Sequence, residues 1–339
     1  MRFALSEDQV DFRDAVRGLL ADTCAPDAVR EAWEGEHPGR VPAAWSALAE
    51  MGVLGLLVPE QHGGLGLTDE DIVPLLVECG RAGLPDPVSS TAYVAAGLLT
   101  ELGDAPAATA WLPRIASGEA TVLVGFPGSS YLPAAASADL FLMFDGDQLH
   151  LLRPSDVTLT PVQSVDGARA LCDVSFEPSA DTVLISGPAA FAAVNRAFDR
   201  AALGASAQLV GLGERMIDLT VGYVSERKQF GVPVGSFQAV KHHLADAASG
   251  VSFAEPLVLQ AANSLAHGLD EAPLHVSMAK ARASTAAVAA ASAALQCHGA
   301  IGYTVEYDLH LFMKRSWALA ARYGDADFHR SRISTSLLG

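Results

Sequence analysis

The sequence predicts a mostly α-helical protein with a small β domain inserted between two helical parts. Two observations support this fold class. Beyond Pro188 the chain is rich in alanine, and its apolar residues recur at the spacing of an antiparallel helical bundle. Between residues 119 and 185, short β-prone runs are separated by clusters of Pro, Gly, Asp and Ser. The predicted domains are therefore 1–118, 119–187 and 188–339.

The N-terminal part reads as a series of helices. Ser6 and Gln9 form a capping-box pattern, and the apolar residues after them lie at mostly helical spacing. The glycines within 56–66 favour a structural turn, because a GGxG sequence alone is a weak phosphate-binding signal. Further helices are expected over 42–52, 69–82 and 89–102, and before Ile115.

The β domain and the bundle follow along the chain. Strands are predicted at 121–125, 140–144 and 149–152, with a hairpin turn at Asp145-Gly146-Asp147. The helices of the bundle are predicted at 189–226, 236–267, 271–297 and 305–322. On the second of these helices we expect one stripe to face the core, formed by Phe237, Val240, Leu244, Ala247 and Val251.

Bulk composition disfavours several classes of partner. The 339 residues carry a formal net charge of -17, so nucleic acid and anionic lipid are not expected partners. The N-terminus has no apolar signal core, and the apolar stretch 285–295 is too short to span a bilayer. The four cysteines have no CxxC spacing, which suits a reducing compartment. We therefore expect a soluble cytoplasmic protein without a metal site.

Two motifs carry the functional signal. The first is residues 226–246, ERKQFGVPVGSFQAVKHHLAD, and the second is residues 296–303, QCHGAIGY. A dinucleotide needs cations or aligned N–H groups for its pyrophosphate, and hydrogen-bonding side chains for its adenosine. Arg227 supplies a planar cation at a helix end, and Gln229 opens a turn. Phe230 precedes a glycine that lets the backbone approach a ligand closely.

The first motif also has a simpler interpretation. Arg227 and Lys228 could form a solvated helix end, stabilised by the helix dipole. That interpretation explains the charges, but it does not explain why Gln229, Gln238 and Gln296 accompany them. Gln238 falls in the first turn of the next helix, where free N–H groups point outward. A site for a dinucleotide is therefore the favoured interpretation.

These motifs resemble those of the acyl-CoA dehydrogenase family. Two weaker landmarks agree, Trp45-x-x-Leu48-x-x-x-Gly52 and Pro59-Glu60-x-x-Gly63-Gly64-x-Gly66, so the resemblance runs over essentially the whole chain. It implies the family fold, with an N-terminal helical domain, a β-barrel-like middle domain that is reduced here, and a C-terminal four-helix bundle. It also implies FAD as the cofactor and α,β-desaturation of an acyl-CoA thioester as the reaction.

The resemblance assigns roles to residues of the two motifs. One set is implied to reach across a dimer interface to the pyrophosphate–adenosine part of a FAD whose ring lies mainly in the neighbouring subunit. This set is Arg227, Gln229, Phe230, Gln296 and Gly299. Gln238 is implied to contact the cofactor near the same seam. The chain departs from the family at Ala300, where a second glycine is usual and where the extra methyl group could crowd the cofactor.

The usual catalytic base of the family is missing. In the family it is the glutamate of a Tyr-Glu-Gly-Thr run, and the matching run here is Tyr323-Gly324-Asp325-Ala326. Gly324 stands where the base is expected and has no side chain to accept a proton. Asp325 is one residue further along and is expected to point elsewhere on a helix or turn.

Some family members carry the base earlier, in a Leu-Glu-Arg run on the first helix of the bundle. That run reads Phe198-Asp199-Arg200 here, so Asp199 is a candidate base with a side chain one methylene shorter. The simpler interpretation is an aspartate at the surface, or one paired with Arg196 or Arg200 in a salt bridge.

The β domain departs further from the family. Residues 124–130, VGFPGSS, are only a remnant of the segment that lines the flavin, and no tryptophan lies between Trp111 and Trp317 to supply the second wall. Without these walls the isoalloxazine ring would lose its stacking partner and its hydrogen bonds. The chain is therefore not expected to house a complete flavin site alone.

A chain that keeps cross-interface contacts without a ring pocket predicts a division of labour between subunits. The resemblance is then to the small subunit of actinobacterial heterotetrameric acyl-CoA dehydrogenases, several of which act on CoA esters of steroid side chains. A larger acyl-CoA dehydrogenase subunit would hold the flavin ring and the base, in a heterodimer or an α2β2 heterotetramer. By the same resemblance, an electron-transfer flavoprotein or a similar acceptor would take up the electrons.

Two alternatives stay open. The chain could be a non-catalytic structural or regulatory subunit whose cofactor contacts are vestigial. It could also be a self-sufficient homomeric dehydrogenase that uses Asp199 as its base.

Overall fold

Twelve α-helices and nine β-strands are formed by residues 5–85 and 87–339, the part of the chain that the computed structural model describes. The helices are α1 (Glu7–Thr23), α2 (Pro26–Glu34), α3 (Pro42–Glu50), α4 (Asp69–Ala82), α5 (Ala96–Glu101), α6 (Pro106–Ala116), α7 (Pro188–Glu226), α8 (Gln238–Ser252), α9 (Glu255–Ala266), α10 (Ala272–His298), α11 (Leu309–Ala321) and α12 (Ala326–Leu338). The strands are β1 (Val122–Gly125), β2 (Tyr131–Leu132), β3 (Leu140–Asp145), β4 (Gln148–Leu152), β5 (Val157–Pro161), β6 (Cys172–Phe176), β7 (Val183–Ser186), β8 (Lys228–Gln229) and β9 (Val232–Pro233).

The chain divides into two compact units. The first comprises the residues up to Ala21, Val73–Leu84 and Ala202–Gly339, and the second comprises Asp22–Ile72 and Pro85–Ala201. Helices α4 and α7 therefore contribute residues to both units. The three domain boundaries drawn from the sequence stay a prediction.

The second unit contains two small sheets. One has the strand order β1-β3-β4-β7, in which β1 runs parallel to β3 and the other pairs are antiparallel. The other is antiparallel with the order β2-β6-β5. The three predicted strands are present as β1, β3 and β4, and the predicted turn joins β3 to β4. Strands β2, β5, β6 and β7 escaped prediction because they are short and several of their side chains are exposed or half-buried.

Helix α10 is the central helix of the first unit and packs against α8, α9, α11 and α12. Alanine makes this packing possible, since Ala283, Ala287 and Ala290 are each at most 1% exposed. Helices α4 and α7 approach even more closely. A Cβ atom added to Gly211 would lie 1.9 Å from the carbonyl oxygen of Val77, so only glycine permits this crossing.

The predicted helix 236–267 is wrong as a single helix. It is divided at 253–254 into α8 and α9, because Pro256 lacks an N–H group and its ring clashes with the preceding turn of a continuous helix. The predicted core stripe is only partly right. Ala247 and Val251 are buried, whereas Phe237 is 38% exposed.

The predicted fold class is confirmed as mostly helical with a small sheet region and a C-terminal helical bundle. The capping box is also present, since the Ser6 N–H donates to Gln9 Oε1 at 3.0 Å and the Gln9 N–H donates to Ser6 Oγ at 3.2 Å. The loop 56–66 folds back on itself, with Gly66 N–H donating to the carbonyl of Val58. Within the described ranges, no helix is long and apolar enough to cross a membrane.

Candidate cofactor-binding site and catalytic positions

A two-residue hairpin follows the long helix α7. Strands β8 and β9 pair antiparallel, and the turn between them consists of Phe230 at φ +51° and Gly231 at φ +81°. Two positive φ angles are those of a type I′ turn, which suits a tight hairpin but is unusual for phenylalanine. Phe230 is 92% exposed. The chain thus holds a large apolar ring in water, on a backbone conformation that costs energy.

The polar residues beside this hairpin are also directed away from their own chain. Arg227, Gln229 and Gln238 are exposed. Their side chains make no hydrogen bond or ion pair within residues 5–85 and 87–339. Gln238 begins α8, as predicted, so the unbonded N–H groups of that helix's first turn lie next to it. A cation, amide groups and free N–H groups are the donors that a pyrophosphate and an adenosine require.

The second motif ends helix α10. Gln296 is exposed and Gly299 lies at φ +68° and ψ -148°, a combination that glycine alone adopts readily. A Cβ atom added to Gly299 would meet no atom within 4 Å. Glycine is therefore required here by the backbone path and not by packing within the chain, and the surface beside it is open. Ala300 is exposed on the same turn.

The structure brings the two motifs to one end of the first unit. The ring of Tyr223, one turn before Arg227 on α7, lies 4.4 Å from the ring of His298 at the end of α10. A Cβ atom added to Gly235, just before α8, would lie 3.1 Å from Val224. The helix ends that carry the predicted contacts are therefore neighbours. Their side chains fit the pyrophosphate–adenosine part of a dinucleotide.

The segment expected to line a flavin ring is filled by aromatic side chains of the same unit. Phe126 follows β1 within the remnant 124–130 and is only 9% exposed. Its ring is stacked with that of Phe144 at 6.3 Å and meets that of Phe198 edge-on at 5.7 Å. Phe126 thus contacts one ring on β3 and one on α7, and it is buried within the second unit and not presented to a ligand.

The position of the usual base is closed as well. Gly324 has φ +86°, and a Cβ atom there would lie 2.3 Å from Cδ1 of Phe328. Asp325 caps α12, because its carboxylate accepts the backbone N–H groups of Asp327 and Phe328 at 3.1 and 2.9 Å. The hydrogen bond from Phe328 is the main cause that lowers the pKa of Asp325. As expected, this carboxylate is directed away from the role of a base.

Two buried titratable side chains hold the turn between α11 and α12, and sequence reasoning missed both. Lys280 on α10 is 0% exposed, and its Nζ donates to Ser284 Oγ and to the carbonyls of Ala320 and Gly324 at 2.9–3.0 Å. Burial lowers the pKa of Lys280 to about 7. The only available signal was a lysine within an alanine-rich helix.

His329 is the second of these side chains. It is 0% exposed, and its Nε2–H donates to the carbonyl of Tyr323 at 2.9 Å. Burial lowers the pKa of His329 to about 4. The carbonyl groups of this turn are therefore satisfied by side chains from α10 and α12.

Asp199 is buried on α7, with 3% of its surface exposed, so the simpler interpretation is wrong in its surface form, whereas a salt bridge with Arg196 or Arg200 stays a prediction. The neighbouring arginines pair with other carboxylates. Arg196 Nε lies 2.7 Å from Glu101, and Arg200 contacts both Glu101, at 2.5 Å, and Asp69, at 3.2 Å. These ion pairs place charged side chains of the second unit around the turn of α7 that carries Asp199.

Tyr93 also belongs to this network, and the effect of Asp199 on its pKa indicates that the two side chains lie close together. Its hydroxyl donates to Asp69 at 2.7 Å. Burial, and then the charge of Asp69, raises the pKa of Tyr93, and Asp199 contributes in the same direction. The carboxylate of Asp199 therefore lies in a buried region close to other titratable groups.

The chain belongs to the acyl-CoA dehydrogenase family. Residues 6–119 match the acyl-CoA dehydrogenase N-terminal domain, and residues 191–338 match the acyl-CoA dehydrogenase C-terminal domain. Members of this family are FAD-dependent oxidoreductases that act on a carbon–carbon single bond. FAD is therefore the cofactor of this chain's family, and the residues described above are available to hold its nucleotide end.

Particular relatives refine this assignment. The chain is 34% identical to the acyl-CoA dehydrogenase IpdE2 of Mycolicibacterium smegmatis, over 94% of this chain and 96% of that protein. It is 30% identical to the acyl-CoA dehydrogenase FadE34 of Mycobacterium tuberculosis, over 97% of this chain but 48% of that protein. Among solved structures, a chain of the ChsE4–ChsE5 complex from Mycobacterium tuberculosis has the same fold, with a TM-score of 0.89 and 24% identity over 100% of this chain and 99% of that chain.

Proposed function

We propose that this chain is one subunit of a heteromeric, FAD-dependent acyl-CoA dehydrogenase. It completes the nucleotide end of the cofactor, while a partner subunit holds the flavin ring and the catalytic base. The observation that carries this proposal is Phe230, which is 92% exposed at φ +51° between polar side chains that make no hydrogen bond or ion pair within residues 5–85 and 87–339. Within its own subunit the ring meets that of Phe237 edge-on at 6.2 Å and otherwise lies in water, so a contact with another molecule explains its exposure.

The places where the flavin ring and the catalytic base are expected support the same division of roles between two subunits. The remnant 124–130 turns Phe126 into the core of the β domain, and Phe328 occupies the space beside Gly324. Phe126 is therefore buried within its own unit, and a side chain at position 324 would collide with Phe328. A partner that supplies the flavin-ring site and the base would leave this chain with the adenosine contacts alone.

The length of one relative agrees with a two-part enzyme. FadE34 aligns with nearly all of this chain, yet the chain spans only 48% of FadE34, so that protein has room for a second unit of similar size. The solved ChsE4–ChsE5 structure is a complex of two named components. We propose that here the second component is a separate, larger acyl-CoA dehydrogenase chain, in a heterodimer or an α2β2 heterotetramer.

The proposed reaction is α,β-desaturation of an acyl-CoA thioester, and the resemblance noted above favours a steroid side chain as the acyl group. An electron-transfer flavoprotein or a similar protein would accept the electrons. CoA is anionic and this chain carries a formal net charge of -17. A basic mouth for CoA is therefore expected mainly on the partner.

The direct test compares the isolated chain with the chain co-expressed with acyl-CoA dehydrogenase chains of the same genome. We expect the isolated chain to purify without flavin absorbance, and the complex to contain flavin in stoichiometric amount. The mass of each species in solution gives the subunit ratio. Stoichiometric flavin on the isolated chain would contradict the proposal. A partner that retains all its flavin without this chain would point to the non-catalytic subunit.

Burial of Asp199 favours one second candidate, a self-sufficient dehydrogenase with this residue as base. A general base contributes about 10²- to 10⁴-fold to a rate, so Asp199→Asn should then lower kcat by about that factor. Glu101→Gln is the matched control, because it alters the same charge network without removing the candidate base. Our proposal expects the two variants of the complex to keep similar turnover. A loss confined to Asp199→Asn would establish the second candidate instead.

A further inference from the structure

The predicted nucleotide contacts lie on two separate helices. Arg227 and Gln229 follow α7, whereas Gln296 and Gly299 end α10. A ligand that is held from both sides binds well only if the two sides keep a fixed separation. The contacting side chains themselves do not provide this, since they make no hydrogen bonds within the described residues. Something behind them must hold the two helix ends.

Three aromatic rings in mutual contact lie directly behind these residues. Tyr223 stacks on His298 with a centroid distance of 4.4 Å and an interplanar angle of 21°. Tyr307, from the turn before α11, lies 4.9 Å from His298 and 5.8 Å from Tyr223. We call Tyr223, His298 and Tyr307 the ring clamp. It joins α7 to α10 and to the segment before α11 at the level of the two motifs.

The hydrogen bonding of His298 fixes the orientation of its ring. Nδ1–H donates to the carbonyl of Ala294, one turn earlier on α10, at 2.8 Å. Nε2 is buried and has no hydrogen-bond partner among the described residues. The residue is 5% exposed, and burial lowers its pKa, so the ring stays neutral. A neutral ring held at this angle presents its face to Tyr223.

The clamp also controls the path of the glycine turn. A Cβ atom added to Gly302 would lie 2.8 Å from Cβ of His298, so the turn 299–303 folds back directly onto the clamp. On the other side, the backbone N–H of Arg227 donates to the carbonyl of Tyr223 at 2.9 Å. Each half of the nucleotide contacts is therefore one short step from a ring of the clamp.

We infer that the ring clamp is a positioning device for the cofactor, in which His298 keeps the Arg227 side and the Gly299 side of the nucleotide site in register. The inference rests on the proposed function, because it assumes that these residues bind FAD. The clamp residues do not touch the cofactor in this account. They act through the helix ends that do.

The test measures release of FAD from the co-expressed complex by the change in flavin fluorescence. We expect His298→Ala to release FAD about tenfold faster, because it removes the ring contacts with Tyr223 and Tyr307. His298→Phe keeps a ring of similar size and should restore slow release. Val258→Ala, at a fully buried position on α9, is the control for general loss of stability. It should lower the melting temperature without speeding the release of FAD.

The outcomes separate this inference from the proposed function. If Arg227→Ala speeds FAD release but His298→Ala does not, the clamp has no positioning role and the proposed function stands. If neither variant changes release, the proposed function itself fails. Equal acceleration in His298→Ala and Val258→Ala would show that only stability matters and would overturn the inference. Should His298→Ala not assemble, Tyr307→Leu removes one ring of the clamp and is subject to the same comparison.

Discussion

Gly324 is constrained both by its own backbone conformation and by the side chain packed against it. Its φ of +86° lies in the left-handed region, and the ring of Phe328 fills the space where a side chain would begin. Tyr323 also has a positive φ of +56°, so the whole turn follows a path that disfavours ordinary residues. The missing glutamate is thus part of a remodelled turn. Putting a carboxylate back at this position would not recreate the base.

The first prediction follows at this position. Gly324→Ala should destabilise the fold by about 2–4 kcal/mol, because it combines a left-handed backbone penalty with overlap against Phe328. Gly103→Ala is the control, since Gly103 has φ +62° and a Cβ atom there would meet no atom within 4 Å. It should cost only the backbone part, about 1–2 kcal/mol. Denaturant unfolding of both variants measures the difference, and equal losses would contradict the packing argument.

The candidate contact residues could be predicted from the sequence, but their exposure to solvent could not. Arg227 at a helix end, Gln229 at a turn and Gln238 at a helix start lie in the local structures that the sequence predicted. The large exposed ring of Phe230 and the burial of Asp199 depend on which chain segments pack around them. One-dimensional patterns do not contain that information, so the sequence could not decide between a surface position and a buried one for Asp199.

At the scale of elements, the turn between α11 and α12 is held by buried polar side chains. Lys280 donates from α10 to the carbonyls of Ala320 and Gly324, and His329 donates from α12 to the carbonyl of Tyr323. Because these acceptors are part-buried, removing either donor leaves a carbonyl group without that hydrogen bond. The turn is therefore a fixed part of the bundle and not a mobile loop.

His329 makes the stability of this element sensitive to acid. Burial lowers its pKa from 6.5 to about 4 in the folded state, so between these values the unfolded chain takes up a proton that the folded chain does not. The contribution of His329 to the free energy of unfolding is therefore complete above pH 6.5. It falls as the pH drops toward 4, by about 3 kcal/mol. Urea unfolding at several pH values measures the slope.

The matched variants are His329→Phe and, at an exposed position, His37→Phe. His329→Phe should be less stable at pH 7, because the carbonyl of Tyr323 loses its donor, but it should show a shallower decline toward acid. His37→Phe should keep the full decline. An unchanged slope in His329→Phe would show that the acid sensitivity comes from elsewhere.

Most elements could be predicted because their signals are local. The capping box at Ser6, the long helix α7 and the strands β1, β3 and β4 agree with the sequence patterns. The break before Pro256 was present in the sequence, but the apolar pattern on both sides of it suggested one helix. Helix α12 was missed because its sequence, ADFHRSRISTSLL, is polar and has no apolar stripe.

At the scale of the whole molecule, the chain combines an intact family fold with an incomplete set of family chemistry. The N- and C-terminal family domains are both present, and the candidate nucleotide contacts lie at one end of the first unit. In the second unit, the segment that would line the flavin is packed with Phe126, Phe144 and Phe198. The family fold and the candidate nucleotide contacts could be predicted from motifs. The burial of the segment expected to line the flavin became clear only from the packing of these rings.

The measurement that tests the central claim most directly is an experimental structure of the assembled complex with FAD bound. We expect the guanidinium of Arg227 and the amide of Gln229 to lie within hydrogen-bond distance of the pyrophosphate, with Phe230 against the nucleotide and the flavin ring in the partner subunit. A hairpin that lies remote from every FAD, or a flavin ring seated in the β domain of this chain, would contradict the account.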